Sequence, residues 1–123
     1  MKVHVRAENN TTIIDCTGEV DLYSSPALRE TLLREMRGAS AMVLVNMTGV
    51  SYIDSSGIAT LVEGLQLSQR TQTRFGLFGL RNNARSVLEL ARLTKVFTVF
   101  EDEQEAVAKI VTTLPFSGLP DSR

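Results

Sequence analysis

Val50-Ser51-Tyr52-Ile53-Asp54-Ser55-Ser56-Gly57-Ile58-Ala59-Thr60-Leu61 is the stretch on which the reading of this chain turns. An apolar run, Met42 to Met47, leads into it, and an amphipathic run, Ile58 to Leu67, leads out. That succession predicts a buried strand, a short polar connection and a helix opening at the serines. Short polar side chains there accept hydrogen bonds from the unpaired N–H groups of a first helical turn. Gly57, just inside the helix, is locally unfavourable by roughly 1 kcal/mol against alanine. Its presence implies that another group approaches the backbone closely at that point.

Working outward, Val3, Val5 and Ala7 alternate with Lys2, His4 and Arg6, the period of a half-buried strand. Glu8-Asn9-Asn10 is a turn cluster, and Thr12 to Thr17 reads as a second strand, so the chain opens with a hairpin. Gly18 to Tyr23 is read as a connection. Ser24-Ser25-Pro26 opens a helix with the stripe Leu28, Leu32, Leu33 and Met36, closed at Gly38, and Ser24 and Ser25 are read as caps. Met42 to Met47 is apolar on both faces, as in a central strand covered by helices on each side. Thr48-Gly49-Val50 is read as a turn. Beyond the opening stretch come a strand at Phe75 to Leu80, a helix beginning at Asn82-Asn83, and a short strand from Val96 to Phe100. A final helix follows, with Ala106, Val107, Ile110 and Val111 toward the core. The alternation gives one α/β domain with a mixed, mostly parallel sheet of about five strands packed with about four helices. We place the domain at residues 1–113, with 114–123 as a flexible Pro-, Gly- and Ser-rich tail.

The bulk numbers exclude several functions. The chain has 123 residues, the length of one domain, and a formal net charge of -1. Its 13 basic and 14 acidic residues are interspersed, so there is no basic field for nucleic acid or an anionic membrane. No apolar run reaches the roughly 20 residues of a spanning helix, and the N-terminus lacks a signal-peptide core, so a cytoplasmic protein is expected. Cys16 is the only cysteine and His4 the only histidine. Cys16 reads as a small core residue. No metal site and no cofactor are expected from this set, and a hydrolytic triad would have to recruit His4. Ser56 also lacks the glycine two residues earlier that a nucleophile elbow needs, and no Gly-x-x-x-x-Gly-Lys phosphate loop occurs. The protein is therefore read as a non-enzyme.

Three segments together resemble the bacterial anti-sigma factor antagonists of the STAS-domain family. They are Gly18-Glu19-Val20-Asp21, Asp54-Ser55-Ser56-Gly57, and Phe75-Gly76-Leu77-Phe78-Gly79-Leu80 followed by Leu93-Thr94-Lys95-Val96-Phe97. The resemblance covers roughly residues 3 to 112 by order of elements. It implies a regulatory binding protein that, unphosphorylated, binds an anti-sigma factor that is also a serine kinase, and so frees a sigma factor. Phosphorylation by that kinase would release it, and a serine phosphatase would reset it. The phosphoacceptor maps to Ser56. Asp21, Ser24, Asp54, Ser55, Ser56 and Gly57 are the expected partner-binding residues, with Tyr23 and Tyr52 as further surface candidates. The same domain type also resembles accessory subunits of transporter ATPases and scaffold subunits of stress-signalling assemblies. A free-standing chain, a monomer included, with Asp54-Ser55 ahead of Ser56 fits the first of these roles.

Overall fold

The computed structural model describes residues 1–112, so the tail expected at 114–123 lies outside the described residues. The elements are β1 (Lys2–Glu8), β2 (Thr11–Val20), α1 (Ser25–Met36), β3 (Met42–Ile53), α2 (Ser55–Thr71), β4 (Arg74–Phe78), α3 (Asn82–Leu90), β5 (Val99–Phe100) and α4 (Glu103–Ile110). The order is the one read from the sequence. The strands form a five-stranded sheet in the order β1-β2-β3-β4-β5. β1 and β2 pair antiparallel as a hairpin, turning through Asn9 and Asn10, both at positive φ. The remaining neighbours pair in parallel, as strands joined through crossover helices do.

The sheet divides two apolar clusters. On one face Ile14, Cys16, Val43, Val45 and Met47 meet Leu28 and Leu32 of α1, Leu61 and Leu65 of α2, and Leu88 of α3. On the other, Ile13, Leu44, Phe78 and Phe100 meet Ala106 and Ile110 of α4. β3 is thus covered on both sides, which is why Met42 to Val45 are apolar at every position. Burial pushes the Cys16 thiol up to about 12, with the neighbouring Asp15 carboxylate adding to the rise, so it stays protonated as a core residue.

Four expectations change. The segment Thr48-Gly49-Val50 is not a turn. β3 runs on to Ile53, and β2 runs to Val20, so the first part of the expected connection from Gly18 to Tyr23 is also strand; the two pair with each other through two register shifts. Gly49 permits this, because a Cβ there would stand 2.9 Å from the Cys16 carbonyl oxygen. β4 pairs with β3 only as far as Asn46, so the last part of β3 projects past β4 on a two-stranded ribbon with β2. β5 is only two residues long, because the backbone N–H groups of Val96 and Phe97 turn back to the Leu93 carbonyl. Phe97 then packs edge-on against Phe75, with ring centroids 6.5 Å apart. Val107 and Val111 are not in the core: α4 is short, and only Ala106 and Ile110 reach the sheet.

Two local arrangements set the position of α2 and α4. Gly57 is buried where the first turn of α2 crosses the ends of β2 and β3. A Cβ there would fall 2.6 Å from Ile53 Cγ1 and 2.8 Å from Val20 Cγ1. The close approach inferred from the sequence is therefore made by core side chains. On the opposite face, the Arg6 guanidinium donates to Asp15 at 2.7 and 2.9 Å and to Glu103 at 2.7 and 3.2 Å, tying the edge strand to the first turn of α4. Asn46 Nδ2 donates to the same Asp15 carboxylate at 2.8 Å.

Two measurements check this packing. Gly57→Ala gains helix propensity but crowds Ile53 and Val20, so it is expected to lower stability by about 1 kcal/mol in denaturant titration, against the sign of propensity. The hydrogen bond from Arg6, followed by that from Asn46, holds the Asp15 carboxyl below the usual carboxylate range despite its partial burial. Its contribution is therefore present above the ordinary value of about 3.9 and is lost as pH falls through the depressed folded value. Asp15→Asn should cost about 1–2 kcal/mol at pH 7, a charged hydrogen bond discounted for exposure, and the difference from the parent should close toward pH 2.

Candidate functional site

The expected site residues gather at the carboxyl end of the parallel strands, in the β2–α1 loop and at the head of α2. The helix cap is Asp54 and not the serine pair. Asp54 is extended, and its Oδ1 accepts from the backbone N–H of Ser56 at 2.9 Å and of Gly57 at 3.3 Å. This satisfies two of the donors that a first turn leaves unpaired. The same Oδ1 accepts the Ser56 hydroxyl at 2.5 Å. The Asp54 N–H in turn donates to the Val20 carbonyl at 3.1 Å, which seats the cap on the end of β2. The Asp54 carboxyl is held below the usual carboxylate range: the Ser56 hydroxyl is the largest cause, and the N–H groups of Gly57, Ser56 and Leu22 add to it.

Ser55 is exposed, Ser56 half-buried and Gly57 buried. The serine pair thus splits: Ser55 faces solvent as the first helical residue, while Ser56 is anchored through its hydroxyl. Gly57 offers no side chain to a partner. It enters the site by letting the helix terminus sit against Ile53 and Val20.

The β2–α1 loop is closed on itself. Asp21 Oδ1 accepts from the N–H groups of Tyr23 and Ser24, both at 3.0 Å. Ser24 Oγ accepts from the Asp21 N–H at 2.9 Å and donates to the Glu19 carbonyl at 2.7 Å, with Asp21 Oδ1 a second acceptor at 3.1 Å. Ser24 thus does not cap α1 with its side chain, as the sequence had implied. Its hydroxyl is spent on the loop, and Ser25, the other residue read as a cap, is buried as the first residue of the helix. Hydrogen bonds led by that from the Ser24 N–H hold Asp21 low, while the nearby Asp54 charge opposes them, so the two carboxylates sense each other. A shallow hollow of about 530 Å³ lies beside this loop, lined by Met1, Glu19, Asp21, Tyr23, Ser24 and Ala27.

What the loop displays is apolar. Leu22 is 68% exposed and Tyr23 90%, and Tyr52 at the end of β3 is 43% exposed. Exposed large apolar side chains gathered at one end of a domain are candidates for a docking surface. Leu22 was not singled out from the sequence; an apolar residue between Asp21 and Tyr23 in a turn is the signal that could have found it. Asn83 was read only as a helix start. In the fold its Oδ1 accepts the Ile53 N–H at 2.8 Å, steadying the residue before Asp54 from the first turn of α3. No sequence signal links residues 30 apart in this way. Among the described residues no group of His, Cys, Asp and Glu forms a metal-binding cluster, and no helix is long and apolar enough to cross a membrane.

Comparison with known proteins agrees with the fold. The chain is 28% identical over 100 residues to an anti-sigma-B factor antagonist of Listeria monocytogenes, covering 80% of this chain and 88% of that protein. Its fold is similar to an anti-sigma factor antagonist from Mycobacterium paratuberculosis, with a TM-score of 0.82 at 17% identity over 89% of this chain and 93% of the other. It is also similar to the Bacillus cell fate determinant SpoIIAA in its phosphorylated form, with a TM-score of 0.70 at 19% identity over 89% and 99%. The sequence profile of the STAS domain matches residues 2–106. With that match spanning most of a chain whose nine elements and five-stranded sheet are those of the fold, the protein belongs to the STAS domain family.

Proposed function

We propose that this chain is an anti-sigma factor antagonist. In the unmodified state it docks an anti-sigma factor that is also a serine kinase, and phosphorylation of Ser56 ends the docking. The observation that carries the reading is the half-buried Ser56 hydroxyl in the first turn of α2, held by Asp54 beside the exposed Leu22 and Tyr23. Relatives named anti-sigma-B factor antagonist cover most of their own length in the match, and this supports the same role.

The chemistry of the switch follows from charge. A helix N-terminus is a favourable place for an anion, so a phosphate on Ser56 need not unfold the domain. It does place about -1.5 to -2 charges beside the apolar docking residues. A charge desolvated at an interface without a partner costs more than the about 1.4 kcal/mol that a tenfold loss of affinity represents. The role requires no chemistry from the chain itself. It acts as ligand of the kinase, as substrate of that kinase with ATP, and, phosphorylated, as substrate of a serine phosphatase. The cytoplasm, where sigma factors act, is the compartment this role implies.

Two results are expected. Incubated with ATP and the kinase-containing lysate of its own cell, the protein gains the mass of one phosphate on Ser56, and Ser56→Ala gains none while still binding the kinase. A phosphate elsewhere, or none at all, refutes the reading, and recovery of a transporter ATPase on the unmodified protein would favour the accessory-subunit role. Tyr23→Ala is expected to weaken that binding at least about tenfold by calorimetry. Its melting temperature should not change, because Tyr23 is 90% exposed.

A further inference from the structure

Asp54 and Ser56 share the shortest side-chain hydrogen bond of the site, 2.5 Å from Ser56 Oγ to Asp54 Oδ1. Phosphorylation replaces the Oγ–H bond with an Oγ–P bond. The phosphoryl group comes from ATP, whose bond to that group breaks to leave ADP, and the hydroxyl proton is released. The ester oxygen then has nothing to donate, and a second anion stands where the donor was. Both anions have a claim on the same donors, because Asp54 Oδ1 already accepts from the N–H groups of Ser56 and Gly57.

We propose that Asp54 is a built-in opponent of phosphate at Ser56: it holds the unmodified hydroxyl in place and repels the modified one, so the phosphorylated state is held under electrostatic tension from within the site. The inference rests on Ser56 being the modified residue. Asp54 is the carboxylate bonded directly to the Ser56 hydroxyl. The β2–α1 loop contributes one further carboxylate, Asp21, which is satisfied by the N–H groups of Tyr23 and Ser24. α3 contributes the neutral Asn83, acting through Ile53. Val20 and Ile53 beneath the turn are apolar. The tension also has a route to the docking loop, since the Asp54 N–H is bonded to the Val20 carbonyl just ahead of Asp21.

The test installs phosphoserine at position 56 during translation, so no kinase is needed and a failure speaks to Asp54 alone. The full chain is titrated by phosphorus NMR in the parent and in Asp54→Asn, Asp54→Ser and Asp21→Asn. Asparagine and serine both remain competent caps, so a folding failure of one leaves the other. The second ionisation of the phosphate, ordinarily near pH 6, should fall by about 0.5 units or more when either neutral residue replaces Asp54, and by less in Asp21→Asn. The change in melting temperature on phosphorylation should also be more favourable in the Asp54 variants than in the parent. Equal titration in parent and Asp54 variants, or a larger shift in Asp21→Asn, overturns the proposal.

Discussion

One carboxylate, Asp54, joins the parts on which the docking end depends. It closes the head of α2, grips the Ser56 hydroxyl and is seated on Val20 at the end of β2. The donors it satisfies would otherwise be orphaned at a half-buried helix terminus, and such groups are costly to leave unpaired. The arrangement requires β3 to run past β4 to Ile53, Gly57 to let the helix approach, and Asn83 to steady the residue before the cap. These contacts come from different elements, so the serine is placed jointly by β2, β3, α2 and α3.

The rigidity of that placement suits a switch that works by charge. The loop carrying Leu22 and Tyr23 is tied internally through Asp21 and Ser24, so its backbone has little freedom left to lose on binding. Under the proposed switch, a phosphate on Ser56 would add charge at this end of the domain. The side chains of a hydrolytic alternative are placed accordingly: Cys16 is buried and protonated, and His4 lies exposed on the edge strand β1.

The opposite face is organised differently. α4 covers the sheet with two buried residues, and a polar bridge from Arg6 to Glu103 and Asp15 completes its attachment. A helix of eight residues cannot supply a wide apolar stripe, so ion pairs and an Asp102 cap share the task. The fold therefore separates a deeply packed side, which positions the site, from a lighter side closed by charge.

Pattern alone established the succession of nine elements, the mixed sheet, the buried Cys16 and the strand-to-helix junction at Asp54–Gly57. Period-2 and period-3.6 repeats of apolar residues, and helix-start chemistry, are local signals and are written within a few residues of where they act. Strand ends were legible only in part. Whether Thr48-Gly49-Val50 turns or extends depends on the β2 backbone lying against Gly49, and β5 is short because the Val96 and Phe97 N–H groups turn back to the Leu93 carbonyl. The site divides in the same way: Ser56 and Asp54 were marked by the resemblance of Asp54-Ser55-Ser56-Gly57 to the family's motif, since the residues by themselves read first as a helix start, whereas Ser24 closing its own loop and Asn83 bracing Ile53 could not be found. Those depend on which surfaces meet once the sheet is assembled, and contacts between distant parts of a chain leave no mark at the positions that make them.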